Sequence, residues 1–516
     1  MLVEFKTRLL DLEALGKLIV VLNSDDAVEL GTVSSDRVKL KTNSTEVVAI
    51  VNTTSGMPKG TLGVFKEVQR RLHLKNGDPI DVRLAERPES LNAIREKIHG
   101  ERLVASKYEQ IVEDVVENHL SDIELAAFIT ALEIHGMSIE ENEALSKAMI
   151  RKGKTVNFHK ERILDKHSIG GVPGDKTTLL VVPIIASAGY TIPKSSSRAI
   201  TSPAGTADRM EAICPVNLRI EEIMDVVNKT GACIVWGGAL DLAPADDLFI
   251  QVEYPLSIDP LLLPSILSKK KAMGSTNVVI DIPVGKGAKM KTLSETRQLA
   301  EEFIVLGSRL GMHIECAVTE GNQPIGKAIG PNLEAREALK TLMGSGPPDL
   351  IDKATSLAGI LFEMVGETEG KAKALDLLKS GKAMEKMSQI IKAQGGNPDI
   401  KPEDISLGTY WSDIIASRKG RILDIDNRGI ANICRVAGAP GDKMAGILLY
   451  AKLGDEVSTG DPLFRVYSDS RNRLEQAKTL AERIKPLTVG KKIGEKMLIT
   501  QIKGVYRPGE DFILVR

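Results

Sequence analysis

The chain is short of cysteine, of aromatic residues and of any excess of one charge, and each shortage closes off a class of function. Its 516 residues include four cysteines (Cys214, Cys233, Cys316, Cys434), scattered with no CxxC pair and no histidine at ligand spacing. That excludes a disulfide scaffold, makes a metal site unexpected and fits reduced thiols buried in a cytoplasmic protein. Aromatics make up 3% of the residues, too few for rows of exposed rings that stack on nucleic-acid bases. Lys and Arg (68) nearly cancel Asp and Glu (69), so there is no global basic field for a nucleic acid, and any anion must be held locally. Apolar runs such as Leu179–Ala186 fall far short of the roughly 20 residues that a membrane span needs. The opening Met1-Leu-Val-Glu-Phe-Lys lacks the basic-then-apolar layout of a signal peptide.

What is present is ordinary for a globular protein: 42% hydrophobic and 27% charged residues. The length calls for two to four domains. Residues 1–85 read as a β-rich module, with strands at Lys17–Leu22, Val38–Leu40, Glu46–Val51 and Pro79–Leu84 and a turn at Asn76-Gly77-Asp78. A helical domain follows at 90–160, after a linker at Pro88–Leu91. Ser121-Asp-Ile-Glu124 forms a capping box that opens a helix closed by Gly136, with His135 as an end-of-helix residue. From 161 to 415 strands (Cys233–Trp236, Val278–Ile282, His313–Thr319) alternate with helices (Ile220–Lys229, Glu295–Leu310), which predicts a mainly parallel sheet covered by helices. Residues 334–393 read as helical and Lys419–Leu463 as β, within a C-terminal α+β domain at 416–516. The expected fold is thus α/β, with an all-helical domain and additional β-rich N- and C-terminal domains.

The chemistry is concentrated between Lys166 and Glu211. The first piece is Lys166-His-Ser-Ile-Gly-Gly-Val-Pro-Gly-Asp-Lys-Thr-Thr178. Its glycines permit turns that bare peptide N–H groups to an anion, and its hydroxyls and lysines add donors and charge. If the apolar stretch after Thr178 is helical, its N-terminus adds further attraction for phosphate. The order of residues is not that of a Walker loop. The second piece, Ser195-Ser-Ser-Arg-Ala-Ile-Thr-Ser-Pro-Ala-Gly-Thr-Ala-Asp208, offers hydroxyls and a guanidinium suited to a dianionic oxyanion. Each piece alone also reads as a solvated turn or a capping segment.

Together the two pieces resemble the thymidine/pyrimidine-nucleoside phosphorylase family, and Leu242-Ala-Pro-Ala-Asp246 and Ser265-Ile-Leu-Ser-Lys-Lys270 fit the same pattern. The N-terminal addition, Ser257-Ile-Asp-Pro260 and the Asp281–Lys289 segment are similar to the archaeal-type branch of that family, the AMP phosphorylases. The resemblance implies the nucleoside phosphorylase class II architecture and a pentosyltransferase that splits AMP with inorganic phosphate into adenine and ribose 1,5-bisphosphate, with CMP and UMP as further substrates. It implies no cofactor, phosphate being a co-substrate. It places phosphate at Lys166, Ser168, Thr178, Ser196 and Thr206. It places the nucleotide at Gly171, Ser197, Arg198, Ala199, Ile200, Thr201, Ser202, Thr206, Ser265, Lys269 and Lys289. Asp259 matches the branch's proton donor and His167 a residue proposed for proton handling. Asp259 would need a raised pKa, and burial in the cleft is the expected cause. The arginine with which pyrimidine enzymes contact a base carbonyl falls near Val252 and is absent, which weakens thymidine as substrate. A homodimer through the helical domain, or a larger homo-oligomer, is implied. Two other readings stay open: a thymidine or pyrimidine-nucleoside phosphorylase, and a non-catalytic nucleotide-binding assembly protein.

Overall fold

A computed structural model describes residues 3–14, 16–42, 45–199 and 202–491. Ile200 and Thr201, and the last 25 residues of the expected C-terminal domain, lie outside the described residues.

The N-terminal strands close into a six-stranded barrel. Its order is Val3–Leu9, Thr61–Val64, Ile19–Asn23, Glu46–Thr54, Arg37–Lys41, Pro79–Leu84. The first two of these were not evident in the sequence. Val3–Leu9 turns only Phe5 and Thr7 fully inward, one of them polar. Thr61–Val64 is four residues long and broken by Gly63, where a Cβ would meet Met57 Cε at 2.6 Å and Leu10 Cδ1 at 2.9 Å. The barrel rests on the helical bundle through Lys17–Asp122 and through Arg37, whose Nε donates to Asn118 O at 3.3 Å.

The bundle comprises Ser90–Ile98, Ala105–Val116, Asp122–His135 and Ile139–Lys152. The box at Ser121 forms: Ser121 N donates to Glu124 Oε2 at 2.6 Å and Glu124 N to Ser121 Oγ at 3.2 Å. A later helix, Pro244–Leu256, joins the bundle by packing Phe249 against Phe128 (centroids 6.0 Å apart), which in turn meets Tyr108. Tandem aromatic packing of this kind buries large apolar area in one place.

The central sheet runs parallel as His313–Glu320, Asn277–Val284 and Leu164–Ser168. A single bridge, Ile163–Thr191, carries it on to the parallel pair Ile192–Ser196 and Ala232–Trp236. The apolar stretch after Thr178 is a helix, Thr178–Ser187, buried through Ala186. Helices Pro348–Met364, Gly370–Lys379 and Lys382–Ala393 wrap it, which is why it shows no amphipathic stripe. The C-terminal region contains two antiparallel sheets, and the expected all-β run at Lys419–Leu463 is interrupted by a helix, Asn427–Ala437. That helix buries Ile430, Ile433, Cys434 and Ala437 at helical spacing, and Asp426 caps it by accepting from Arg428 N. Strand Ala328–Ile329, from the loop beyond the parallel sheet, pairs with Gly446–Leu449 and stitches the two regions together. Among the described residues no helix is long and apolar enough to cross a membrane.

Candidate functional site

Strand Leu164–Ser168 delivers Lys166, His167 and Ser168 to the carboxyl edge of the parallel sheet, and the chain then turns through Gly170, Gly171 and Gly174 at φ of 84, 92 and 77°. This left-handed backbone is open to glycine at little cost. The helix begun at Thr178 has no side-chain cap and no acidic residue in its first turn, and its start is closed by tight turns: Leu179 N and Leu180 N donate to Lys176 O and Thr177 O at 3.0 Å, and Thr177 N to Asp175 Oδ1 at 3.2 Å. Lys166 is buried: its Nζ donates to Thr177 Oγ1 at 2.8 Å and stands 3.6 and 3.9 Å from Asp175 and Asp281. Lys353, from the distant helix Pro348–Met364, lies 2.8 Å from Asp281 and 3.8 Å from Asp175. Beneath them Asp165 takes Lys270 at 2.6 Å and Lys194 at 3.5 Å. This floor is dense in buried lysine, as a site that must accept extra negative charge requires. His167 feels it: burial, then Lys270, Lys194, Lys166 and Lys269, drive its pKa well below the ordinary value. The shift favours the neutral imidazole. Lys353 and Asp281 went unassigned in the sequence, because no local motif connects residues 72 positions apart in different elements.

The hydroxyl-rich segment follows strand Ile192–Ser196. Asp208 holds it in shape, accepting from Ala199 N at 2.7 Å and Gly205 N at 2.8 Å. Arg209 does the same from below, donating to Ala204 O at 2.7 Å and to Glu334 at 2.5 Å. Ser196, Ser202 and Thr206 are half-buried and Ser197 is exposed. Arg198 departs from expectation. Its guanidinium is clamped on Glu211 by two bonds of 2.7 Å, touches Asp208 at 3.2 Å and covers the Trp236 ring at 4.9 Å. A bidentate carboxylate leaves it no fork for a phosphate, so Arg198 shapes the segment.

The opposite wall comes from the turn that leaves the bundle. A Cβ on Gly171 would lie 2.7 Å from Lys289 N, and Lys289 Nζ reaches Asp259 at 2.5 Å, so Gly171, Lys289 and Asp259 are brought together. Asp259 is not buried, as expected from its proposed role, but 42% exposed; it lies in an open turn, and the helix after it starts only at Leu262. Ser265 and Lys269 share one face of that helix, four residues apart. Lys269 is tied to the buried Asp246, at the start of helix Pro244–Leu256. Close by stands Glu253, buried, which burial and then the charges of Asp259 and Asp246 push up to about 8. A second contact spans the cleft mouth: Arg435 Nη2 donates to Tyr254 Oη at 2.9 Å. Among the described residues no cluster of His, Cys, Asp or Glu is arranged to hold a metal ion.

Three family models match: "Glycosyl transferase family, helical bundle domain" over 91–153, "Glycosyl transferase family, a/b domain" over 160–384, and "Pyrimidine nucleoside phosphorylase C-terminal domain" over 422–486. The AMP phosphorylase of Thermofilum pendens is 48% identical over 99% of this chain and 100% of its own length. That of Thermococcus kodakarensis is 50% identical over 94% of this chain and 97% of its own. Among solved structures, the anthranilate phosphoribosyltransferase of Thermus thermophilus superposes with a TM-score of 0.50 at 21% identity, covering 58% of this chain and 99% of that one. This last likeness speaks for the fold alone.

Proposed function

The chain belongs to the glycosyl transferase family that includes the AMP phosphorylases, and we propose that it cleaves AMP with inorganic phosphate to give adenine and ribose 1,5-bisphosphate. The observation that carries this reading is the likeness to AMP phosphorylases along essentially the whole chain, barrel included. The site fits. Breaking a ribosyl–base bond builds positive charge on the sugar, and an anion held opposite the base stabilises it and then attacks C1′. Lys166, Ser168, Thr178, Ser196 and Thr206 would hold that phosphate over the lysine floor. Gly171, Ser197, Ala199, Ile200, Thr201, Ser202, Thr206, Ser265, Lys269 and Lys289 would hold the nucleotide, with Lys289 the cation for its 5′-phosphate. Arg198 and Asp208 would keep the segment in register. No cofactor is called for, and Val252, where a pyrimidine enzyme has its carbonyl-reading arginine, is a half-buried apolar residue packed on the bundle.

CMP and UMP are proposed as secondary substrates, and the enzyme as a cytoplasmic homo-oligomer. Ile123 and Ile134, 80% and 69% exposed, lie eleven residues apart and so on one face of a bundle helix, a pattern that suits a subunit contact. The test is phosphate-dependent base release from AMP, CMP, UMP, uridine and thymidine. AMP is expected to lead, with the unphosphorylated nucleosides far behind; preference for thymidine or uridine would overturn the assignment.

A further inference from the structure

The cleft wall contains a carboxyl that the reaction as described leaves idle. Glu253 sits in the last turn of helix Pro244–Leu256, 6% exposed. Its Oε1 accepts a long bond, 3.3 Å, from Leu261 N. Two other carboxylates act on it, Asp246 from its own helix and Asp259 from the following turn. Each of those has a lysine of its own: Lys269 closes on Asp246 and Lys289 on Asp259. Among the described residues no cation pairs with Glu253. Asp247, next to Asp246, also leans on Lys269, so four carboxyls share two lysines. A buried carboxylate with no cation, facing two like charges, is costly, and retaining one proton relieves that cost.

We propose that Glu253 stores the proton that the leaving base takes up, acting as a positioning residue through Asp259. The proposal rests on the phosphorolysis reading above. Burial and the two aspartates raise Glu253 to about 8, while Leu261 N–H and Lys269 pull it down only in part, so the stored proton is present at neutral pH. When a nucleotide's 5′-phosphate engages Lys289, that lysine loosens its hold on Asp259, and the two carboxyls are left to share one proton. The C1′–N9 bond then breaks with its electron pair going to the base. The base takes the shared proton from the Asp259 side, and a phosphate oxygen bonds to C1′. The proton carried in by hydrogen phosphate is released by the product monoester and restores the pair.

The experiment compares wild type with Glu253→Gln on AMP and on N7-methyl-AMP, whose base leaves neutral without gaining a proton. On AMP, wild-type kcat should fall on the alkaline side with an inflection near the value of about 8 at which Glu253 titrates. E253Q should lose that inflection, and its kcat at pH 7 should drop about 100-fold. On N7-methyl-AMP the deficit should shrink to under about tenfold. An unchanged inflection, or an equal loss on both substrates, overturns the proposal. A measurement on wild type alone covers the case in which E253Q fails to fold: the infrared carbonyl band of a protonated carboxyl should persist at pH 7 and vanish on titration through about 8. Absence of that band at pH 7 overturns it equally. Wild type that releases no adenine from AMP would instead refute the phosphorolysis reading, and the infrared titration would still report on Glu253 by itself.

Discussion

The two sides of the cleft are built with opposite electrostatics. The floor, at the carboxyl edge of the parallel sheet, concentrates Lys166, Lys194, Lys270 and Lys353 around Asp165, Asp175 and Asp281. The wall, on the turn out of the bundle, concentrates Asp246, Asp247, Glu253 and Asp259 around Lys269 and Lys289. The contrast is sharpest at one group on each side. The floor drives the proton off His167, and the wall keeps one on Glu253. On the proposed reading, one site would grip phosphate dianions on one face and keep a proton in reserve behind Asp259 on the other, which neither environment would achieve alone.

Removing the floor's central cation should break the contrast most severely. Lys166→Ala is expected to lower kcat/KM for phosphate about 10³-fold, the upper range for losing one charge-stabilising donor; initial rates against phosphate concentration check it, with the melting temperature confirming a folded variant. Lys289→Ala acts at the mouth of the wall and should raise KM for AMP roughly 10- to 100-fold, the range for a lost hydrogen bond to a charged group, with KM for phosphate nearly unmoved. A pH-stability comparison reads the wall at rest. Glu253 binds its proton more tightly folded (about 8) than unfolded (about 4.3), so the native state holds the extra proton in that window. Stability must fall as pH rises across it, the loss being complete above the folded value. E253Q, which cannot ionise, should therefore gain melting temperature relative to wild type between pH 5 and pH 9. The smallest expected effect is on the floor's bystander: Lys270→Met should raise the His167 titration, followed by its ring-proton chemical shifts, because Lys270 is the foremost charge holding it down.

Much of the floor was legible because its chemistry is local. The glycines, hydroxyls and lysine of residues 166–178 lie within one strand, loop and helix start, and the structure keeps them there. The box at Ser121–Glu124 was legible for the same reason, since both partners sit in one helical turn. The wall was not. Glu253, Asp246 and Lys269 come from two helices that also serve as ordinary packing elements, and nothing in the sequence says which carboxyl will lack a cation. Asp259 was expected to be buried and is open, because the turn that carries it faces Lys289 across the cleft mouth. Arg198 looked like an anion ligand, but Glu211, thirteen residues on at the end of helix Thr206–Glu211, takes its fork. The helix Asn427–Ala437 was lost inside a β-rich stretch, since its buried apolar residues Ile430, Ile433, Cys434 and Ala437 are interrupted by Asn432 and Arg435.

Phosphorus-31 NMR of the product formed from AMP and inorganic phosphate probes the core of the account most directly. Two sugar phosphate resonances of equal intensity, one from an anomeric phosphate and one from a 5′-phosphate, should appear together with free adenine and in proportion to phosphate consumed. A single 5′-phosphate resonance with inorganic phosphate unspent would mean hydrolysis, and the lysine floor would then not be holding an attacking phosphate.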